Sequence, residues 1–169
     1  MHELFLDYST KKLQQLGSRI ETCLGSLNQD QVWARGGDNE NAVGNLVLHL
    51  CGNLRQWIVS SVGGQPDLRD RDAEFSAQGG ASVEDLAQRL HATVEEAVAV
   101  VSTVPAERLT ERIVVQKYDV TVLEAIYHVV EHFSMHTGQI IFATKMLTGS
   151  DLGFHRHLRT TAAHQQTTP

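Results

Sequence analysis

Residues 121–147, TVLEAIYHVVEHFSMHTGQIIFATKML, decide the fold of this chain and carry much of its candidate chemistry. Thr121 followed three residues later by Glu124 is typical of a capping box at the start of a helix, and Gly149 is a plausible stop. On a helical wheel the large apolar side chains form one stripe, which predicts a long amphipathic helix facing a core. The stripe comprises Ile126, Val129, Phe133, Ile140 and Leu147.

Polar side chains border this apolar stripe. At about 100° per residue, His128 and His136 lie about 40° to either side of His132, and Gln139 lies about 20° from it. Small alanines flank these positions, whereas Glu131 turns toward the solvent face. The pattern predicts a seam beside the core that is lined by imidazoles and has room for a ligand.

The same periodicity predicts three more long helices and one short helical turn. The first helix spans about Glu3 to Leu24, a short turn follows at 28–33, the second runs from about Asn41 to the glycine pair at 63–64, and the third from the cap at Ser82 and Asp85 to Pro105. The polar stretch 63–81 is a long connection by the standard of helical bundles, about 2–8 residues, so it can cross the end of a bundle.

Residues 113–120, IVVQKYDV, have strand-like composition, but one short strand would have no partner, so we expect an extended connection. The sequence therefore predicts an all-α four-helix bundle with a long connection between helices 2 and 3. We expect one domain over residues 1–150 and a flexible tail over 151–169.

Composition limits the partners and the location. A net charge of −6 argues against nucleic acid and anionic membranes, which both select basic surfaces. Every apolar run is interrupted well short of the roughly 20 residues that a membrane span needs. Cys23 and Cys51 lie in apolar helical segments, so we expect two buried, reduced thiols in a cytoplasmic protein.

The second predicted helix carries another histidine on a polar strip. Asn45, Asn53 and Gln56 fall within about 40° of His49, beside an apolar face. Such a strip suits the wall of a polar cavity. Alternatively, amides at this position simply mark where the helix meets water.

His49, His132 and His136 are the candidate metal ligands. Residues four apart on a helix lie one turn above each other, so His132 and His136 could bind one side of a divalent cation, with His49 from a neighbouring helix as the third ligand. Three protein ligands leave positions open for water or substrate, as in catalytic sites. The alternative is that each histidine is a hydrogen-bonded structural residue.

The stretch 128–132, HVVEH, also matches the pattern of inverted zinc proteases. Such a site needs a distal carboxylate ligand, but Asp151 is the only acidic residue after His132. Glu131 is also predicted to face away from the histidines. We therefore reject a protease. His128 is then a pocket residue, a residue that supports the ligands, or one with no role in the site.

Two motifs resemble the DinB/YfiT-like superfamily of small bacterial metalloenzymes over residues 1–150. They are the histidine in 46–58, LVLHLCGNLRQWI, and the H-x-x-x-H-x-G-Q pattern that opens 132–147, HFSMHTGQIIFATKML. The resemblance implies a four-helix bundle, often a homodimer, with one divalent zinc or nickel ion on His49, His132 and His136. It also implies an activity, because characterised relatives include transferases of bacillithiol, mycothiol or related thiols.

Three functions are compatible with such a site. The metal could activate a small thiol to attack an electrophilic substrate, or activate water for hydrolysis, or belong to a non-catalytic stress-response module. Asn53, Gln56, Gln139 and His128 are expected to line the pocket or support the ligands. The wheel turns Arg55 and Cys51 away from His49, so neither is expected in the site.

Overall fold

The computed structural model describes residues 1–37 and 39–156, and these form the predicted all-α four-helix bundle. The helices are α1 (His2–Leu24), α2 (Gln29–Val32), α3 (Val43–Leu54), α4 (Arg71–Ser76), α5 (Val83–Ser102) and α6 (Val122–Thr148). A π-helical segment (Arg55–Val62) continues α3, and a 3₁₀ turn (Ala106–Thr110) follows α5. The strands are β1 (Arg112–Val115) and β2 (Tyr118–Thr121).

The core lies between the four long helices. α1 packs against α5 and α6, and α3 packs against the same two helices from the other side. Apolar side chains from all four are fully buried there, as the stripes in the sequence require. They include Leu13, Ile20, Leu50, Leu54, Leu86, Leu90, Ile126, Phe133 and Ile140. The packing of α3 on α6 positions the two histidine-bearing faces beside each other.

The capping box predicted at Thr121 and the N-cap predicted at Ser82 are both present. Thr121 Oγ1 accepts from the backbone N–H of Glu124 at 3.2 Å, and the Glu124 carboxylate accepts from the Thr121 N–H at 2.7 Å. Ser82 and Asp85 exchange the equivalent bonds at 3.0 Å. α6 ends at Gly149, whose φ of +66° is a backbone conformation that glycine adopts without strain. These bonds fix the start of both helices at the predicted residues.

The second predicted helix ends at Gly63 as expected, but its last part is π-helical. The Gly63 N–H donates to the carbonyl of Ile58, five residues earlier, at 2.8 Å. Because the i→i+5 pattern widens each turn, wheel positions calculated with α-helical geometry do not apply after Leu54.

The prediction of an unpaired extended connection at 113–120 is wrong. β1 and β2 form an antiparallel hairpin in which Ile113 pairs with Val120 and Val115 with Tyr118. The chain reverses direction within the stretch, at Gln116, whose φ is +57°. The apparent single strand is thus two strands that are each other's partner.

The long connection between the second and third long helices is confirmed, but it is not only a polar loop. It contains α4, whose N-cap Asp70 accepts from the Ala73 N–H at 3.0 Å. α4 packs against α3. This placement brings connection residues to the histidine on α3.

The end of the described chain contacts the bundle. Leu152 and Phe154 pack against the core, and the Arg19 guanidinium lies 5.5 Å from the centre of the Phe154 ring. Residues 157–169 of the predicted tail lie outside the described residues. Within the described ranges, every helix is too short or too polar to span a membrane.

Candidate metal centre

Three ring nitrogens converge between α3 and α6. His132 Nε2 lies 3.1 Å from His49 Nε2 and 3.1 Å from His136 Nε2. One possible ligand atom from each residue lies within 4.8 Å of the others. The structure therefore brings together all three predicted ligands, and the cluster could bind one metal ion.

The helices explain this convergence. His132 and His136 lie one turn apart on α6, and their ring centres are 4.5 Å apart. His49 comes from α3, where it is 5% exposed, and its ring centre lies 5.0 Å from that of His132. Two ligands thus depend on one helix, whereas the third depends on the packing of α3.

The second ring nitrogens of two histidines have acceptors. His49 Nδ1 lies 3.1 Å from Glu74 Oε2, and His136 Nδ1 lies 2.6 Å from Gln139 Oε1. An imidazole that donates from Nδ1 keeps its lone pair on Nε2, the atom that faces the cluster. His132 Nδ1 is buried without a partner among the described residues. The contacts of His49 and His136 therefore favour the tautomer that can bind a metal.

A cation fits this donor set on chemical grounds. If His49 and His136 both present lone pairs, the single Nε2 hydrogen of His132 could bridge only one of the two 3.1 Å contacts. The other contact would set a lone pair against a nitrogen that has no further hydrogen to donate, unless a cation lies among the nitrogens. With metal–nitrogen distances of about 2.0–2.1 Å, adjacent ligands of a tetrahedral site lie about 3.3–3.4 Å apart, a little more than the 3.1 Å observed for two of the pairs.

The electrostatics favour neutral ligands on α6. Burial, together with the neighbouring His136 and His49, lowers the pKa of His132 to about 3. Burial also lowers the pKa of His136, although the hydrogen bond to Gln139 opposes it. Both imidazoles are therefore neutral at pH 7, the form in which a histidine binds a metal.

Glu74 and Arg69 are site residues that the sequence analysis missed. Arg69 donates from Nε to Glu74 Oε1 at 2.7 Å and from Nη2 to Oε2 at 2.8 Å, and its side chain is only 3% exposed. Burial alone would raise the pKa of Glu74, but hydrogen bonds from Arg69 and His49 outweigh it and lower that pKa. Glu74 therefore supports His49 as a carboxylate. As an N-cap residue, Asp70 is a local signal from which the start of α4 could have been predicted. No local sequence pattern shows which helix α4 packs against.

A cavity of about 530 Å³ adjoins the cluster. His49 and His132 form part of its wall, together with the predicted pocket residues Asn53 and His128. The His128 ring centre lies 4.2 Å from that of Trp57, and burial lowers the pKa of His128. The remaining lining residues are Trp57, Arg69, Arg71, Gln116, Tyr118, Val120 and Glu124.

Other predicted residues have different surroundings. Gln56 hydrogen-bonds Arg69, Asp67 and Gln116 and so supports the site indirectly, through Arg69. Gln139 contacts His136 but is exposed and does not line the cavity. Arg55 pairs with Glu96 on α5.

Cys51 and Glu131 also lie outside the cluster, as predicted. Cys51 is buried, and burial raises its pKa to about 11. Glu131 is exposed on α6. The structure therefore gives neither residue a ligand or general-base position at the three histidines.

Fold and site together define a helical-bundle protein with a candidate three-histidine metal centre. Residues 1–155 match the family described as "Protein of unknown function (DUF1572)", and the chain belongs to that family. Its fold is also that of a DinB-like protein of known structure.

Two solved structures show the same fold. A conserved protein from Enterococcus faecalis has a TM-score of 0.70 and 16% identity, covering 85% of this chain and 97% of that one. The DinB-like protein YjoA from Bacillus subtilis has a TM-score of 0.67 and 15% identity, covering 88% and 97%. No curated protein matches the chain. At these identities the likeness concerns the fold alone.

Proposed function

We propose that this chain is a divalent-metal-dependent enzyme that transfers a low-molecular-weight thiol to an electrophilic substrate. The observation that carries the proposal is that two candidate ligands, His49 and His132, form part of the wall of the 530 Å³ cavity. A molecule in the cavity would therefore reach the open side of the cluster. A bound divalent cation would lower the pKa of a thiol and favour the nucleophilic thiolate at pH 7.

The cavity wall combines apolar and polar groups. Trp57, Tyr118 and Val120 offer an apolar surface, and Asn53 and Gln116 offer amides. Such walls bury the body of a small molecule while a few polar groups orient it. An electrophile with an apolar body could pack against this wall and lie next to the histidine cluster.

The carboxylates near the cavity favour thiol transfer over hydrolysis. Activation of water commonly uses a nearby general base. Glu74 is already bonded to Arg69 and His49, and Glu124 is bonded to Thr121. A thiol, whose free pKa is about 8.5, loses its proton more readily than water does. Hydrolysis is the alternative, and His128 favours it as an imidazole base in the cavity wall.

The test is thiol conjugation by metal-loaded protein. Bacillithiol, cysteine and glutathione would be offered with 1-chloro-2,4-dinitrobenzene as a probe electrophile. We expect a rate that requires both metal and thiol and is lost in His136→Ala. The matched control is a Cys23→Ala/Cys51→Ala variant, which should keep its rate because both thiols are buried.

The same assay distinguishes the alternatives. Turnover of an ester or lactone with metal and no thiol would replace the transferase with a hydrolase. A protein that binds metal and acts on neither class of substrate would instead be a non-catalytic metal-binding module. Zinc and nickel both suit three imidazoles, so both would be loaded. We place the enzyme in the cytoplasm, which suits its two separate, buried free thiols.

We also propose a two-fold homodimer through α6. Four large side chains on neighbouring positions of its outer face are exposed: Tyr127, Met135, Phe142 and Met146. A second copy could cover this face in a closed two-fold arrangement. Light scattering should give a dimer for the wild type and a monomer for Phe142→Glu. A monomeric wild type at high concentration would contradict the proposal.

A further inference from the structure

We infer that Glu74 is a positioning residue for the metal site. The 69–77 segment, which runs from Arg69 through α4 to Ala77, holds the Glu74 carboxylate against His49. The inference rests on the metal binding in the proposed function. It extends that proposal by assigning a role to residues that bind neither metal nor substrate.

Glu74 controls which nitrogen of His49 is available. Its Oε2 lies 3.1 Å from His49 Nδ1. Arg69 Nη2 also lies 3.1 Å from Nδ1, but it donates to Glu74 Oε2 at the shorter distance of 2.8 Å. Because that carboxylate oxygen faces Nδ1, we assign the hydrogen to Nδ1, which donates it to Glu74. Nε2 then keeps its lone pair toward His132 and His136. Carboxylates in this position orient a ligand histidine and increase its basicity.

Arg69 holds the Glu74 carboxylate by a paired contact. Two of its nitrogens donate to the two carboxylate oxygens at 2.7 and 2.8 Å. Nη1 donates to Gln56 Oε1 at 2.9 Å, which ties the guanidinium to the π-helical segment. Because the Glu74 and Arg69 side chains are 8% and 3% exposed, removal of either would leave a buried charge without its partner.

A second set of bonds fastens the segment to α3. Asn45, which is fully buried, donates from Nδ2 to the carbonyls of Glu74 at 2.9 Å and Ala77 at 2.8 Å. Arg35 donates to the Ala77 carbonyl at 2.8 Å and to Asn45 Oδ1 at 2.9 Å. The backbone on both sides of Phe75 is therefore bonded to Asn45, which lies one helical turn before His49 on α3.

Two close approaches complete the fit. The Phe75 ring centre lies 4.7 Å from that of His49. A Cβ added at Gly52 would lie 1.8 Å from Glu74 Oε1 and 3.0 Å from Arg69 Nε. Gly52 thus leaves the space that the Glu74–Arg69 pair occupies. An alanine there would displace the pair without touching a metal ligand.

The test measures zinc affinity by competition with a chromogenic chelator. We expect Glu74→Gln and Gly52→Ala each to lower the affinity by about 10–100-fold, the usual effect of losing such a partner. The matched controls should keep the wild-type affinity. Glu96→Gln removes a carboxylate paired with an arginine outside the site, and Gly138→Ala adds a methyl group where nothing lies within 4 Å.

A spectroscopic readout separates positioning from general stability. At saturating cobalt(II), the visible absorption of Glu74→Gln should shift, because His49 becomes a different donor, and that of Glu96→Gln should not. Circular dichroism would show that the variants are folded. Unchanged affinity and spectrum in Glu74→Gln overturn this inference alone. A wild-type protein that takes up no metal overturns the proposed function as well.

Discussion

The α6 half and the α3 half of the histidine cluster are built in different ways. On α6, His132 and His136 are one turn apart, and the partner of His136, Gln139, follows within the same helix. On α3, His49 is alone, and its partner Glu74 comes from a separate short helix 25 residues later in the chain. One half depends on local helical geometry and the other on tertiary contacts.

The site is most vulnerable on the α3 side. Fraying or loosening of the 69–77 segment would leave the α6 pair in place but release His49 from its hydrogen bond. His49 would then be held less firmly as the third of the three ligands that a site of the zinc type needs. We therefore expect the connection between the second and third long helices to control metal retention, although it contributes no ligand.

Among substitutions in the two halves of the site, Asn45→Ala should have the largest effect on stability and zinc binding. The substitution removes the bonds to the carbonyls of Glu74 and Ala77 and leaves buried polar groups unpaired. We expect a loss of about 2–4 kcal/mol in the free energy of unfolding, measured by urea denaturation, and weaker zinc binding.

The control for Asn45→Ala is Asn53→Ala. Asn53 is a buried amide on the same helix that makes no hydrogen bond to the 69–77 segment in the described structure. It should cost clearly less stability. Equal losses of unfolding free energy in the two variants would show that the contacts of Asn45 with the 69–77 segment stabilise the protein no more than those of another buried amide.

A smaller effect is expected from Gln139→Ala on the α6 half. The His136 Nδ1 loses its acceptor, but Gln139 is exposed, so water can replace the amide oxygen. Zinc affinity should fall by less than about 10-fold, the lower limit for loss of a buried partner. A loss larger than that of Glu74→Gln, measured in the same chelator competition, would reverse the comparison.

The smallest expected effect is a pH dependence of stability that comes from Cys51, on the opposite side of α3 from His49. Burial raises the pKa of Cys51 from 9.0 to about 11, so the native state binds a proton that the unfolded state releases between these values. This contribution to stability is complete below pH 9 and is lost as the pH rises toward 11. At pH 8, Ellman's reagent should label native Cys51 only on unfolding. Rapid labelling of the Cys23→Ala variant would contradict the burial.

The elements that follow local rules could be predicted from the sequence. Helical periodicity and cap chemistry predict the bundle, the capping box at Thr121, the N-cap at Ser82, the stop at Gly149 and the three histidines. The polar strip on the second predicted helix suggested His49 as the third ligand, the resemblance to a known superfamily implied the same set, and the structure places its Nε2 3.1 Å from that of His132. Cys51, Arg55 and Glu131 were correctly left out of the cluster.

The elements that were missed all depend on non-local or irregular structure. The π-helical segment was missed, because α-helical geometry was assumed after Leu54. The hairpin was missed, and an extended connection was predicted in its place, because the turn at Gln116 carries no glycine. Glu74 was one acid among several in a polar connection, and only the tertiary packing of α4 shows that it reaches His49.

The metal content of protein purified without a histidine tag shows most directly whether His49, His132 and His136 bind one ion. After loading with zinc or nickel and removal of the excess, elemental analysis should give about one ion per chain for the wild type, since the three histidines lie close enough together to hold one ion. The His49→Ala/His132→Ala variant should retain none. A wild type that retains neither metal, or a double variant that keeps a full equivalent, would show that the three histidines are not the metal site.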